Sequence, residues 1–85
     1  MKGGRVSVYI LQSQSSGRYY VGVTANVARR LAQHNAGVTS ATQGKGPWEV
    51  VYTEAYPTGR AARQREAALK RKKSHQYLTW LISQQ

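Results

Sequence analysis

The residues of this sequence best suited to chemistry are one carboxylate, one arginine, one histidine and a pair of tyrosines. The chain has three acidic residues, all glutamate, and it has no cysteine. A two-metal site built from clustered carboxylates, a cysteine-based zinc site and Ser/His/Asp acyl transfer are therefore excluded. Phosphodiester hydrolysis requires fewer groups: an oxygen ligand for a hard divalent cation, a cation that stabilises charge on the phosphate, and a base that deprotonates water.

Glu66 is the carboxylate whose position is hardest to explain as a surface charge. Ala62 and Leu69, seven residues apart, define the inward stripe of a predicted helix, and Glu66 lies between them on the same stripe. An ion pair with Lys70 at i,i+4 is one explanation, worth about 0.3 to 0.5 kcal/mol at a surface, but it would not require a carboxylate on the apolar face. We therefore predict that Glu66 binds a divalent metal, Mg²⁺ or Mn²⁺, or pairs with Arg30.

Arg30 and His34 lie on a second predicted helix, which begins at Thr24 or Asn26 and ends before Gly37. Val27 and Leu31 face the core. At about 100° per residue, Arg30 lies roughly 60° and His34 roughly 20° from Val27, whereas Arg29 points nearly the opposite way. We predict that Arg30 and His34 share a half-buried face, where the arginine needs an anionic partner, and that Arg29 is a solvent or phosphate contact.

Tyr9 and Tyr20 lie on two predicted strands that form a hairpin. Residues 5–11 place Val6, Val8 and Ile10 on one face and Tyr9 on the other, and residues 18–23 place Tyr20 opposite Val21, beside Gly22. The two tyrosines could bracket a hollow above the sheet. To act as a base, either phenol would need a lowered pKa or a neighbour to which it passes its proton.

The rest of the chain supplies one more strand and two helices. Residues 38–45 have no periodicity and are predicted to form an exposed loop, and residues 48–56 alternate as a third strand. A helix follows from residue 58 or 59 to 72, and Ser74 caps a last helix. We assign to the core the residues Trp48, Val50, Leu78, Trp80, Leu81 and Ile82.

Charge is the strongest signal of the whole chain. Thirteen Lys and Arg against three acids give a net charge of +10, and seven of the thirteen lie within residues 60–73. Such an excess favours a polyanionic partner, and nucleic acid fits better than a membrane because the segment lacks a bulky apolar face. A merely solvated basic face is the alternative. The candidate nucleic-acid contacts are Arg29, Arg60, Arg63, Lys70, Lys72 and Lys73.

Length and composition set the remaining bounds. The 85 residues favour one domain spanning 1–85, with no internal repeat or linker. No apolar run approaches a membrane span, and the N-terminus lacks the apolar core of an export signal. With no cysteine, a cytoplasmic location is the expectation. A protein partner for targeting is compatible with so small a chain.

At these residues the chain resembles the GIY-YIG endonuclease domain in its small, stand-alone bacterial form, over roughly residues 6–82. The resemblance rests on Val8-Tyr9-Ile10 and Tyr20-Val21-Gly22 of the hairpin, on Arg30 and His34, and on Glu66 followed by Leu69-Lys70. It implies an α+β fold in which a three-stranded antiparallel sheet is flanked by helices in the order β-β-α-β-α-α. The usual glycine of the first motif is missing, since that motif reads Ser7-Val8-Tyr9.

The resemblance also implies an activity, the metal-dependent hydrolysis of DNA, single-stranded or double-stranded. By this resemblance, Tyr9 and Tyr20 take the positions of the tyrosines of the two motifs. Arg30 takes the position of the arginine that holds the scissile phosphate, and His34 takes the position of a His or Tyr one turn later. Glu66 takes the position of the metal ligand. Which tyrosine is the base stays open. Two other functions also stay open: a non-catalytic nucleic-acid binding module, and a basic protein of ribonucleoprotein assemblies.

Overall fold

The computed structural model describes residues 5–39, 42–72 and 74–85. Its elements follow the predicted order, and the α+β class with a three-stranded antiparallel sheet is confirmed. They are β1 (Val6–Ser13), β2 (Tyr19–Thr24), α1 (Val27–Asn35), β3 (Trp48–Tyr56), α2 (Gly59–Lys72) and α3 (His75–Ser83). Among the residues described, no helix is long and apolar enough to cross a membrane.

The first strand is the centre of the sheet, whose order is β2-β1-β3. Its residues 8–11 are all buried, because helices cover both faces of the sheet. Tyr9 pairs with Gly22 across the β1–β2 ladder, and a register irregularity between Ile10 and Leu11 interrupts the ladder to β3. The register therefore places the tyrosine of β1 directly beside the glycine of β2.

Two apolar clusters lie on opposite sides of the sheet, as the alternation of β1 predicts. On one side the strand residues pack against α2 and α3, and that cluster contains Val8, Ile10, Val21, Ala62, Leu69, Leu78 and Leu81. On the other side Tyr9, Leu11 and Trp48 pack with Val27 and Leu31 of α1. The side of the sheet that faces α1 therefore carries Tyr9, and Arg30 and His34 belong to the helix that covers it.

Two sequence expectations about burial are wrong. Trp80 is 55% exposed. It lies two residues after Leu78 and one before Leu81, both buried, and a two-residue step of about 200° turns it to the outer face of α3. The segment 38–45 is not wholly exposed, because Thr42 is 1% exposed. This threonine is buried against α1 and β3, and its polar contacts are described below.

The first helix is fixed at its start and at its end. The side chain of Asn26 accepts a hydrogen bond from the Arg29 backbone N–H at 3.0 Å, which caps the helix. Beyond the C-terminus, Gly37 has φ of 79°, the left-handed conformation that favours glycine. Asn35 then docks the helix on β3, since its Oδ1 accepts from the Trp48 N–H at 2.7 Å and its Nδ2 donates to the Trp48 carbonyl at 3.1 Å. This clamp sets the position of the preceding residue, His34.

An ion pair between Arg65 and Glu54, which the sequence does not predict, holds α2 against β3. Arg65 donates to Glu54 through Nε at 2.9 Å and through Nη2 at 3.1 Å. The hydroxyls of Tyr52 and Tyr56 also donate to this carboxylate. Burial acts to raise the pKa of Glu54, but the hydrogen bonds from Arg65, Tyr52 and Tyr56 hold it below the ordinary 4.5. The ion pair therefore holds α2 against β3 at Arg65, the residue that precedes Glu66.

Candidate active site

A buried chain of hydrogen bonds runs from β1 through α1 to the loop that follows it. The Tyr9 hydroxyl lies 2.9 Å from His34 Nε2, and His34 Nδ1 lies 2.7 Å from Thr42 Oγ1. Tyr9 and His34 are each 1% exposed. The structure therefore brings together two residues predicted for the site, and it adds Thr42, which the sequence predicts to lie in an exposed loop.

Gly22 makes room for the Tyr9 hydroxyl. A Cβ at this position would lie 2.6 Å from Tyr9 Oη, closer than real Cβ contacts come. Any side chain on residue 22 would therefore push the phenol away from His34. The glycine of the second motif has a steric function that its sequence position alone does not reveal.

Tyr20 lies above the same pair of side chains and is half-buried. Its ring centroid is 4.8 Å from that of His34 and 6.3 Å from that of Tyr9. The predicted bracketing of a hollow by two tyrosines is replaced by a packed aromatic cluster of Tyr9, Tyr20 and His34. Tyr20 is the member of this cluster with the greater exposure.

The predicted phases of the two arginines on α1 agree with the structure. Arg29 is exposed and Arg30 is half-buried. Both line a cleft of about 350 Å³ between the end of β2 and α1, together with Asn26 and Gln33. Arg30 Nη1 donates to Gln33 Oε1 at 2.9 Å, so it contacts a neutral amide there rather than a carboxylate. The guanidinium is thus oriented at the wall of an open basic cleft.

Burial determines how the two central groups titrate. It raises the pKa of Tyr9 above the ordinary 10.0, against the opposing effect of Arg30, and the charges of Tyr20 and Glu66 raise it further. Burial also lowers the pKa of His34 below 6.5, and the Arg30 charge adds to this. At neutral pH the phenol is therefore protonated and the imidazole is neutral. Of the two routes that could make a tyrosine the base, a lowered phenol pKa is not what the structure provides for Tyr9.

Glu66 is half-buried on α2, near enough for its charge to act on Tyr9. Lys70 Nζ lies 3.1 Å from Glu66 Oε2, so the i,i+4 ion pair considered for this carboxylate does form. No cluster of three or more potential ligands (His, Cys, Asp or Glu) occurs in the described part of the chain. One carboxylate with the other positions left to water and substrate suits Mg²⁺ and does not suit zinc. The donor set therefore fits a divalent cation held through Glu66.

The candidate nucleic-acid contacts on α2 lie on its outer surface. Arg60, Arg63, Lys70 and Lys72 are exposed, and Lys73 lies outside the described residues. Lys72 Nζ stands 5.0 Å from the ring centroid of Tyr77, in cation–π range. Arg65, which belongs to the same run of cations, points instead to Glu54. The charge of this run is therefore not all available to a ligand.

Comparison with known protein families and structures identifies the family of this chain. Residues 5–78 match the sequence profile of the GIY-YIG catalytic domain. A UPF0213 protein of Natronomonas pharaonis is 44% identical over 64 residues, which are 74% of this chain and 74% of that protein. The solution NMR structure of a UPF0213 protein from Bacillus halodurans has a TM-score of 0.60 at 33% identity, covering 95% of this chain and 85% of that one.

A eukaryotic nuclease subunit is also similar. The human structure-specific endonuclease subunit SLX1 is 43% identical over 60 residues, which are 65% of this chain and 22% of that protein. The mouse SLX1 subunit is 40% identical over 80 residues, 85% of this chain and 30% of that protein. This chain therefore spans less than a third of the length of these two subunits.

Proposed function

This chain belongs to the GIY-YIG family of catalytic domains, and from that premise we propose that it is a metal-dependent endonuclease that hydrolyses phosphodiester bonds of DNA. The observation that carries the proposal is the contact between Tyr9 and a neutral, buried His34 on the helix whose Arg29 and Arg30 line a basic cleft. Such a pair can take a proton from water, and phosphodiester hydrolysis in that cleft requires this step.

The proton transfers follow from the hydrogen bond. Tyr9 passes its phenolic proton to Nε2 of His34 as its oxygen takes a proton from the attacking water, so no free phenolate has to form at neutral pH. The water oxygen then forms its bond to phosphorus as the bond to the leaving oxygen breaks, and solvent protonates that oxygen. Arg30 leaves Gln33 for the phosphate oxygens, where its guanidinium stabilises the developing negative charge. The buried Tyr9 hydroxyl must become accessible to this water, and we assign that opening to the same movement of Arg30.

Glu66 is the residue that would hold Mg²⁺ or Mn²⁺. When bound, such an ion polarises the phosphate and stabilises charge on the leaving oxygen. Lys70 contacts this carboxylate through Oε2, so a bound ion would compete with the ion pair, and Lys70 would then be available to the nucleic-acid backbone. The cations Arg29, Arg60, Arg63, Lys72 and Lys73 supply further backbone attraction without reading base sequence.

A second candidate function is nucleic-acid binding without catalysis. It is favoured by the ion pair between Glu66 and Lys70, which occupies the one carboxylate available for a metal. The exposed cations of α2 would carry such binding alone.

The test is incubation of the pure protein with labelled single-stranded and duplex DNA, with Mg²⁺, with Mn²⁺ and with EDTA. We expect cleavage that depends on the metal, and the substrate that disappears identifies the preferred strand type. Tight binding with no cleavage under any of these conditions would instead favour the second candidate.

A comparison of Tyr9→Phe and Tyr20→Phe under single-turnover conditions determines which phenol faces the water. We expect the greater loss from Tyr9→Phe, whereas a greater loss from Tyr20→Phe would assign that role to the more exposed tyrosine.

A further inference from the structure

Thr42 is a buried polar residue that the reaction described above does not use. It lies between α1 and β3, with 1% of its surface exposed. Its hydroxyl contacts His34 Nδ1 at 2.7 Å and the Thr39 carbonyl at 3.4 Å, and its own carbonyl accepts from Trp48 Nε1 at 3.2 Å. Hydrogen bonds hold both the backbone and the side chain of Thr42, and its hydroxyl contacts His34. Thr42 is therefore placed to orient this histidine.

The direction of each hydrogen bond can be derived from the number of donors. The phenol of Tyr9 has one proton to donate, and this hydroxyl is buried. That proton is directed at His34 Nε2, its neighbour at 2.9 Å. For this bond to form, Nε2 must carry a lone pair, and the proton of the neutral ring must be on Nδ1.

The same direction continues on the other side of the ring. Nδ1–H donates to Thr42 Oγ1, and the single proton of Thr42 is directed at the Thr39 carbonyl. In the reverse direction, Nε2–H would donate to Tyr9, whose own proton would then point away from His34, the hydrogen-bond partner of Tyr9 among the described residues. A buried hydroxyl without an acceptor is costly, so the forward direction is favoured.

We propose that Thr42 is a positioning residue which, by accepting a hydrogen bond from Nδ1–H, holds His34 in the tautomer whose Nε2 can receive the proton of Tyr9. The proposal rests on the proposed function only for its effect on rate, because the tautomer itself can be observed without any substrate. It also gives the loop after α1 a part in the reaction. Asn35 clamps Trp48, Trp48 holds the Thr42 carbonyl, and Thr42 orients the histidine that precedes Asn35 in the chain.

The direct test is the ¹⁵N spectrum of the two imidazole rings in the free protein at neutral pH, in which the two neutral tautomers have different patterns of ring ¹⁵N shifts. The His75→Gln variant assigns the signals. We expect the Nδ1–H form for His34 in the wild type, and a shift toward a mixture or the Nε2–H form in Thr42→Val, which keeps the branched shape and loses the hydroxyl. Thr42→Ser, which retains the hydroxyl, should keep the wild-type pattern. The Nε2–H form in the wild type would overturn the proposal, even if Thr42→Val does not fold.

Kinetics provide the second measurement. We expect Thr42→Val to lower kcat by about 100-fold, the lower end of what a positioned acid–base group contributes, with KM unchanged, and Thr42→Ser to restore most of the rate. Thr79→Val is the matched control. Thr79 lies on α3, away from this site, and its hydroxyl contacts the Tyr19 hydroxyl at 2.8 Å. It should change neither the tautomer nor kcat. Equal loss in Thr42→Val and Thr42→Ser would show that the residue acts through packing alone. If DNA is not cleaved by the wild type, the tautomer measurement still decides the proposal.

Discussion

At the scale of single residues, the proposed reaction depends on the proton of Tyr9. The phenol is buried and its pKa is raised, so ionisation before substrate binding is unfavourable. The neighbouring imidazole is buried as well, which lowers its pKa and leaves it neutral and ready to accept a proton. Burial therefore keeps both groups uncharged at neutral pH and makes Tyr9 a weaker acid and His34 a weaker base, so transfer from Tyr9 to His34 has to be coupled to transfer of a proton from water to Tyr9.

The pH dependence of cleavage tests this pair. Protonated His34 cannot accept from Tyr9, so the rate should fall as the pH drops through the histidine pKa, which lies below the ordinary 6.5. The acidic limb should therefore lie below pH 6.5 in a profile of single-turnover rate against pH. The His34→Gln variant should be slow throughout and should lack this limb. His75→Gln, which changes the exposed histidine on α3, should keep it, and an unchanged limb in His34→Gln would show that another group titrates.

The adjacent arginines of α1 should separate binding from rate. Arg30→Ala removes the cation beside Tyr9 and should lower the single-turnover rate by at least about 100-fold, as does loss of one donor to a developing oxyanion. Arg29→Ala should mainly weaken DNA binding and reduce the slope of log affinity against log salt by about one unit. Both variants are measured for rate at saturating protein and for affinity across a salt series. Equal losses of rate would contradict the different roles assigned to the two side chains.

At the scale of elements, two clamps on β3 align the helices that carry the site. Asn35 ties α1 to the start of the strand, and Arg65 ties α2 to its other half. The first clamp acts on the residue after His34 and the second on the residue before Glu66. The edge strand β3 thus sets the relative position of His34 and Glu66, the proposed proton acceptor and the proposed metal ligand.

The Arg65 clamp makes a measurable contribution to stability. Arg65→Met keeps the stem of the side chain but loses two charge-assisted hydrogen bonds to Glu54, and should lower the free energy of unfolding by about 1 to 3 kcal/mol. Arg71→Met, on the exposed side of the same helix, should change it by no more than about 0.5 kcal/mol. Urea unfolding of both variants makes the comparison. A loss no larger in Arg65→Met than in the control would mean that apolar packing alone holds α2.

The elements themselves could be predicted because their signals are local. Alternation in residues 5–11, the two possible caps at Thr24 and Asn26 and the glycine at 37 predict β1 and α1 without knowledge of the fold, and the structure then selects Asn26 as the cap. Thr42 could not be predicted in the same way, because its burial depends on the indole of Trp48 and the ring of His34, which reach it from different elements. The exposure of Trp80 was within reach of a helical wheel, since Leu78 and Leu81 already define the inward face of α3.

At the scale of the whole molecule, the excess of positive charge is only partly a binding surface. The net charge is +10, but Arg65 is paired with Glu54, and Lys70 with Glu66. The sequence could show how many cations the chain carries. It could not show which of them face inward, because Arg65 pairs with a carboxylate on a strand eleven positions earlier. The prediction of a nucleic-acid partner therefore depends on the cations of the outer surface of α2 and of the cleft beside α1.

The measurement that tests the account most directly is the effect of Glu66→Ala on DNA affinity and on metal-dependent cleavage, made side by side on one preparation. Removing this carboxylate takes a negative charge from the site and releases Lys70, so affinity should stay the same or rise while cleavage is abolished. Glu66→Gln, which keeps the shape of the side chain, should behave alike. Cleavage that persists in both variants would contradict the role of Glu66 as metal ligand, and loss of affinity and cleavage together would show that the residue is structural.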